Sequence, residues 1–341
     1  MNVVPEIIYN VGLLFIMMIP GILLKKLNMI PDGFGKGLSN LVLYIAQPAL
    51  IFLAYVRDFD KQILINSAYV FVLSIIVHAL FAAVAMLMFK SAEVAHRRML
   101  RFATIFSNAA FMGIPLIAAV LEDKYPGATL YASIYNITFN LFLWSLGVFI
   151  CTSKRDINKN IVDDYKEVSR LTRPDDDDDI VKDASGSPLK ALYHPVTIAA
   201  LIGLVFFILP INGYIPEIVT ESFSMLKNLV APLSMVVIGL RLADMSFKGM
   251  FSDKHMYLFL ALRHVILPLA TVGIIKLAGL LGLVISPVVA MVVVILAATP
   301  AASSATMFAE KFDCDATYVS RLVAVSTILS IATMPLIIML V

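Results

Sequence analysis

Cysteine, tryptophan, histidine and charge are all scarce in this chain. Its two cysteines, Cys151 and Cys314, are too few and too far apart in sequence for a disulfide framework or a zinc site, and they read as small apolar residues near helix ends. Charged residues make up only 15% of the sequence and the net charge is +2, with no basic stripe interleaved with aromatics, so nucleic acid is excluded as a partner. There is no HExxH and no pair of intramembrane aspartates. No polar stretch is large enough to form a soluble sensor domain. A membrane enzyme or a receptor would need such features, and no catalytic residue, metal site or cofactor is expected.

What the chain has in abundance is apolar surface. Sixty per cent of the 341 residues are hydrophobic and the mean hydropathy is +0.91, which a water-soluble fold could not carry without large exposed patches. The lipid bilayer is therefore its solvent. A helix needs roughly 20 apolar residues to cross about 30 Å of hydrocarbon. Ten such spans are predicted, at 6–27, 34–56, 62–89, 98–121, 127–151, 195–211, 217–243, 255–282, 287–310 and 316–340. The first begins at Glu6 without a basic flank or a small-residue cleavage site, so it reads as a retained helix and not as a signal peptide.

One long hydrophilic interruption contains the acidic run Asp175–Asp179 and the turn-forming Ser185-Gly186-Ser187-Pro188. It divides the chain into a first five-helix repeat at 1–152, a linker loop at 153–190 and a second five-helix repeat at 191–341. Nineteen Lys and Arg residues fall in one set of alternate loops and three in the other. Because cytoplasmic loops retain positive charge, both termini are expected outside and the linker in the cytoplasm of a cell-membrane protein.

The halves echo one another. Pro48 in span two matches Pro232 in span seven, 184 residues on, and Pro115 in span four matches Pro300 in span nine, 185 residues on. An odd number of spans per half sets the second half upside down relative to the first, the inverted-repeat plan of many secondary transporters. The expected fold class is thus an all-α membrane protein of ten helices in two inverted repeats, with helices four and nine broken and crossing.

Span four reads Ser107-Asn108-Ala109-Ala110-Phe111-Met112-Gly113-Ile114-Pro115, and span nine reads Thr299-Pro300-Ala301-Ala302-Ser303-Ser304. Proline removes a helical hydrogen bond and clashes with the preceding turn, while glycine lowers the cost of unwinding. Main-chain groups freed at membrane depth cannot face lipid, so they should line an enclosed cavity, where half-helix N-termini attract an anion. Asn108, Gly113, Pro115, Thr299, Pro300, Ser303 and Ser304 are the candidate substrate-binding residues, with Gln47 beside Pro48 reaching the same cavity or capping freed backbone. The plainer reading is that each proline merely kinks its helix.

No Asp or Glu lies deep within a span, which counts against cation exchange. His78 and His264 are the deep groups that could relay protons, and both read more simply as packed histidines. Arg263, Lys276, Lys227 and Arg321 lie near enough to span ends to snorkel instead of touching a solute.

At these residues the chain resembles the auxin efflux carrier family, which includes bacterial malate and malonate permeases and plant PIN-formed auxin carriers. Asn108-Ala-Ala-Phe-Met-Gly-Ile-Pro115 is similar to the family's Asn-x-x-x-Met-Gly-Ile-Pro crossover. His194-Pro195-x-Thr197, followed by Leu201-Ile202-Gly203, is similar to the family's opening of span six, with His194 standing in place of its Asn. Phe308-Ala309-Glu310-Lys311-Phe312 resembles the exit from the second crossover. The resemblance implies a scaffold of spans one, two, six and seven, and a transport domain of spans three to five and eight to ten. It also implies elevator-like movement of a small organic anion and a homodimer through the scaffold. A sodium- or proton-coupled symporter of another solute, with ligands from Thr299 to Ser304, is the alternative.

Overall fold

The computed structural model describes residues 4–31, 33–152, 192–209, 212–243 and 253–341, so the expected linker with its acidic run lies outside the described residues. Every element among them is helical. The first stretch is α1 (Val4–Ile16) followed by α2 (Ile19–Lys26). Then come α3 (Phe34–Tyr55), α4 (Lys61–Met88), α5 (Val94–Ile105), α6 (Ala109–Val120) and α7 (Ala128–Thr152). The chain continues with α8 (Pro195–Ile208), α9 (Glu217–Ala243), α10 (Lys254–Leu280), α11 (Pro287–Ala298), α12 (Ser304–Lys311) and α13 (Ala316–Ile338).

Seven stretches among the described residues are long and apolar enough to cross a membrane: Tyr9–Lys26 and helices α3, α4, α7, α9, α10 and α13. Helices α6, α8 and α11 are apolar but shorter. The chain is a helical membrane protein. Large apolar side chains within these stretches, such as Ile16, Val72 and Met225, are more than half exposed, as a surface bathed in hydrocarbon requires. Spans four and nine differ from continuous helices, because the chain leaves helical geometry at Phe106–Asn108 and again at Thr299–Ser303.

Local chemistry explains most of the boundaries. Asp60, Asp253 and Asp315 cap α4, α10 and α13 by accepting from the N–H groups of Gln62, His255 and Tyr318, which places a negative charge on each positive helix end. Pro48, Pro115 and Pro268 each stand two residues past a π-helical turn, at Val42–Ala46, Ala109–Gly113 and Leu262–Ile266. A proline ring presses on the carbonyl four residues back, which lies inside those turns. Widening the turn by one residue relieves the clash without ending the helix.

Two glycine contacts set a close helix pair. Gly21 of α2 lies against the carbonyl of Val236, and Gly239 of α9 lies against the carbonyl of Met18, so a Cβ at either position would strike main chain. Small residues let backbones approach where lipid supplies no hydrophobic drive. Gly203 of α8 similarly receives the Tyr55 ring of α3, where an added Cβ would lie 2.9 Å from it.

Candidate functional site

The two interruptions meet. Pro300 disfavours helical geometry at Thr299, whose φ of −58° and ψ of 152° end α11. Phe106 is likewise extended at the end of α5. The exposed main chain of each break pairs with the other: Asn108 N–H donates to Pro300 O at 2.7 Å and Ala302 N–H donates to Phe106 O at 2.9 Å. Ser107 and Ala301 thus face each other in a single antiparallel β-bridge. Groups that would cost several kcal/mol each if left unmade in hydrocarbon are satisfied at the crossing itself.

Most of the sequence-predicted residues gather here. Asn108 is 3% exposed, its Oδ1 accepts from Ser303 Oγ at 3.3 Å, and its Nδ2 has no partner. The Asn108 carbonyl accepts from the N–H groups of Met112 and Gly113, each at 3.1 Å, which starts the wide turn of α6. Gln47, wholly buried in α3, donates to the carbonyl of Ala110 in that turn, so it caps freed backbone as well as reaching the crossing. Gly113 permits the close approach of α11, since a Cβ there would lie 2.5 Å from Leu296 Cδ2. Thr299 turns its hydroxyl back to Leu296 O at 2.9 Å and offers only its carbonyl to the crossing. Ser304 begins α12, and Pro115 lines a cavity of about 270 Å³ between α3, α6 and α9.

The sequence reading missed Arg263. It does not snorkel: it is 0% exposed and sits in the π-helical turn of α10. Its Nη2 donates to Thr299 O at 2.6 Å and Ala297 O at 3.0 Å, its Nε to Thr299 O at 3.2 Å, and its Nη1 to Thr104 O at 3.2 Å. These carbonyls terminate α11 and α5. The guanidinium also lies 5.4 Å from the centre of the Phe81 ring. Depth was the available signal. Residue 263 is nine residues into α10, about 14 Å along the axis at 1.5 Å per residue, which is beyond the reach of a snorkelling side chain.

Its neighbour His264 takes a structural part. His264 Nε2 meets Ser326 Oγ at 2.9 Å and Nδ1 meets Thr333 Oγ1 at 3.0 Å, while Ser326 Oγ accepts from Ala301 N–H at 2.9 Å. The bridge is thereby tied to α13. His78 is packed against Tyr135 and Phe142, with Nδ1 2.7 Å from Ser74 O.

Helices α3 and α9 touch the interrupted pair through polar groups. Arg241 of α9, counted in sequence with the loop cations, donates to the carbonyl of Ser303 and to Thr306 Oγ1 at 3.3 Å. At the other end of α3, Tyr55 Oη reaches α7, lying 2.8 Å from Ser133 Oγ. Beyond α6, Arg57 donates to Glu122 Oε1 at 2.7 Å, and the Glu122 carboxylate also accepts from the N–H groups of Gly127 and Thr129. Burial alone would raise the Glu122 carboxyl, but these donors outweigh it and hold the group below the usual carboxylate range. The thiols are closer than their sequence separation suggests: Cys314 Sγ approaches Cys151 O at 3.7 Å, and both cysteines are free.

A crossing of two interrupted apolar helices, with hydrogen-bonding groups gathered at membrane depth, is a device of membrane carriers. The sequence pattern described as membrane transport protein matches residues 7–338. The chain belongs to the membrane transport protein family. As expected from the residues around Asn108 and Pro115, this is the auxin efflux carrier-like family, and the match runs from the first described helix to the last. The family member is also 24% identical over 323 residues to an uncharacterized transporter from Methanothermobacter thermautotrophicus, covering 94% of each chain. Transport across a membrane is therefore its function.

Proposed function

We propose that this transporter carries small organic anions, carboxylates such as malate, malonate or auxin-like acids, through the crossing of the two interrupted helices. The observation that carries this reading is the unpartnered amide donor of Asn108, buried beside the first turns of α6 and α12. A buried donor left unsatisfied costs about 1–3 kcal/mol, so the site is built for an acceptor. The N-terminal ends of α6 and α12 add partial positive charge, and Ser303 adds a hydroxyl.

The same reading organises the chain as ten spans in two inverted repeats, 1–152 and 191–341, joined by the linker at 153–190. Two observations support it. The interruptions fall at matched places, and α2 packs on α9 as α3 packs on α8, pairings that a two-fold exchange of the halves would interconvert. Helices α1 to α3, α8 and α9 form the scaffold, and the other helices form the moving body. Elevator-like travel of that body would have to break the Arg241, Tyr55 and Gln47 contacts named above. An apolar groove of about 940 Å³ along α3, α8 and α9, rimmed by Phe52, Phe206 and Phe223, is the surface through which a homodimer would form in the cell membrane.

Counter-transport in proteoliposomes with a panel of labelled carboxylates tests this function. Exchange of at least one carboxylate, with its affinity weakened in Asn108→Ala, is the expected result. Exchange of cations or neutral solutes alone would overturn it.

A further inference from the structure

The crossing of two interrupted helices is electrically even-handed by itself. It gathers two N-terminal ends, of α6 and α12, and two C-terminal ends, of α5 and α11. Each end carries about half an elementary charge, positive at N-termini and negative at C-termini, so the four sum to roughly zero. A site of this kind has no preference for the sign of its solute.

Arg263 breaks that balance. Among the described residues, all of its hydrogen bonds run to the terminal carbonyls Thr104, Ala297 and Thr299, and none runs to a carboxylate. A guanidinium keeps its proton in proteins and its fork reaches several acceptors at once. Its single positive charge matches the two negative ends together. What remains for a solute is the positive pole at Asn108, whose own N–H holds the Pro300 carbonyl, and at Ser303, where Arg241 adds a second guanidinium against the Ser303 carbonyl.

We propose that Arg263 is a specificity-determining residue of the transporter: as a built-in counter-cation it cancels the negative pole of the crossing, so the site selects anions and needs no metal cation at those carbonyls. The stated sign of selectivity rests on the carboxylate reading above; the counter-cation role does not. Arg263 acts through the helix ends and is not required to touch the solute.

The test uses purified full-length protein and the variants R263K, R263M and R263A, with succinate and its uncharged diamide as probes. A unit charge about 10 Å away, at an effective dielectric constant of about 20, changes the affinity of a singly charged group by roughly tenfold. R263M is expected to weaken succinate by about that factor or more and leave the diamide unchanged, while R263K stays within a few-fold of the parent. Exchanging sodium for choline should not alter succinate binding by the parent. R263A should unfold at lower temperature, with methylguanidinium at sub-denaturing concentration restoring it and sodium failing to.

Equal loss of both probes in R263M would overturn the selectivity role, as would unchanged succinate affinity. A parent that binds no carboxylate refutes the proposed function instead, and the stability arm then decides alone. There, R263A as stable as the parent, or indifferent to methylguanidinium, overturns the counter-cation.

Discussion

The backbone N–H of Asn108 donates to the carbonyl oxygen of Pro300 at 2.7 Å, so main chain joins the two interrupted helices and leaves the Asn108 amide for a solute. Asn108→Ala keeps that bridge. Losing one hydrogen bond to a charged group costs about 1.5–3 kcal/mol, or roughly 10- to 150-fold in affinity. Carboxylate binding should weaken by that factor at unchanged thermal stability, as read by equilibrium binding beside a melting curve.

Pro300→Ala also keeps the bridging carbonyl, but it returns an N–H to the chain and frees Thr299 to continue α11 as helix. The variant should change the rate of uptake more than the affinity. Uptake kinetics measured alongside binding check this, and an affinity loss without a rate change would count against it.

Gly239 has no room for a side chain against Met18 O, whereas Gly273 in α10 has nothing within 4 Å. Gly239→Leu should therefore destabilise by at least about 1–3 kcal/mol. Gly273→Ala should be neutral or raise stability by up to about 1 kcal/mol, since alanine is the better helix former. Thermal unfolding of both variants in the same detergent is the comparison.

Glu122 is held below its unfolded-state pKa by Arg57 and two backbone donors. A depressed carboxylate contributes stability that is present above its unfolded pKa and lost as pH falls through the folded one. Glu122→Gln should therefore be less stable than the parent at neutral pH, and the gap should close on acidification. A gap independent of pH would mean that shape and not charge holds this turn.

The split of nineteen cations in one set of loops against three in the other predicts a C-terminus on the outer side. A reporter fused after Val341 should be active only on that side. Replacing Asp175–Asp179 with Gly and Ser should leave uptake within a few-fold of the parent, because that composition cannot bury a core.

Much of the fold was legible because prolines mark it. Pro115 and Pro300 announced the interruptions, and Gln47 beside Pro48 announced a cap on freed backbone. The π-helical turns were not legible, since proline can kink, widen or end a helix and neighbours decide which. Arg263 was misread for a related reason. Its depth in α10 spoke against a side chain seeking water but named no partner, because the acceptors that hold it lie 34, 36 and 159 residues away and acquire their charge only where two helices stop. Arg241 lies within the last turn of α9, and its reach to the Ser303 carbonyl depends on how α9 packs.

The bridge at Ser107 and Ala301 has one more consequence. It is made of peptide groups, which every residue except proline supplies in full. Evolution can therefore exchange small side chains at the buried positions 107, 301 and 302 without removing the joint's hydrogen bonds, and those three positions are where relatives with other solute preferences should be found to diverge while keeping the same crossing.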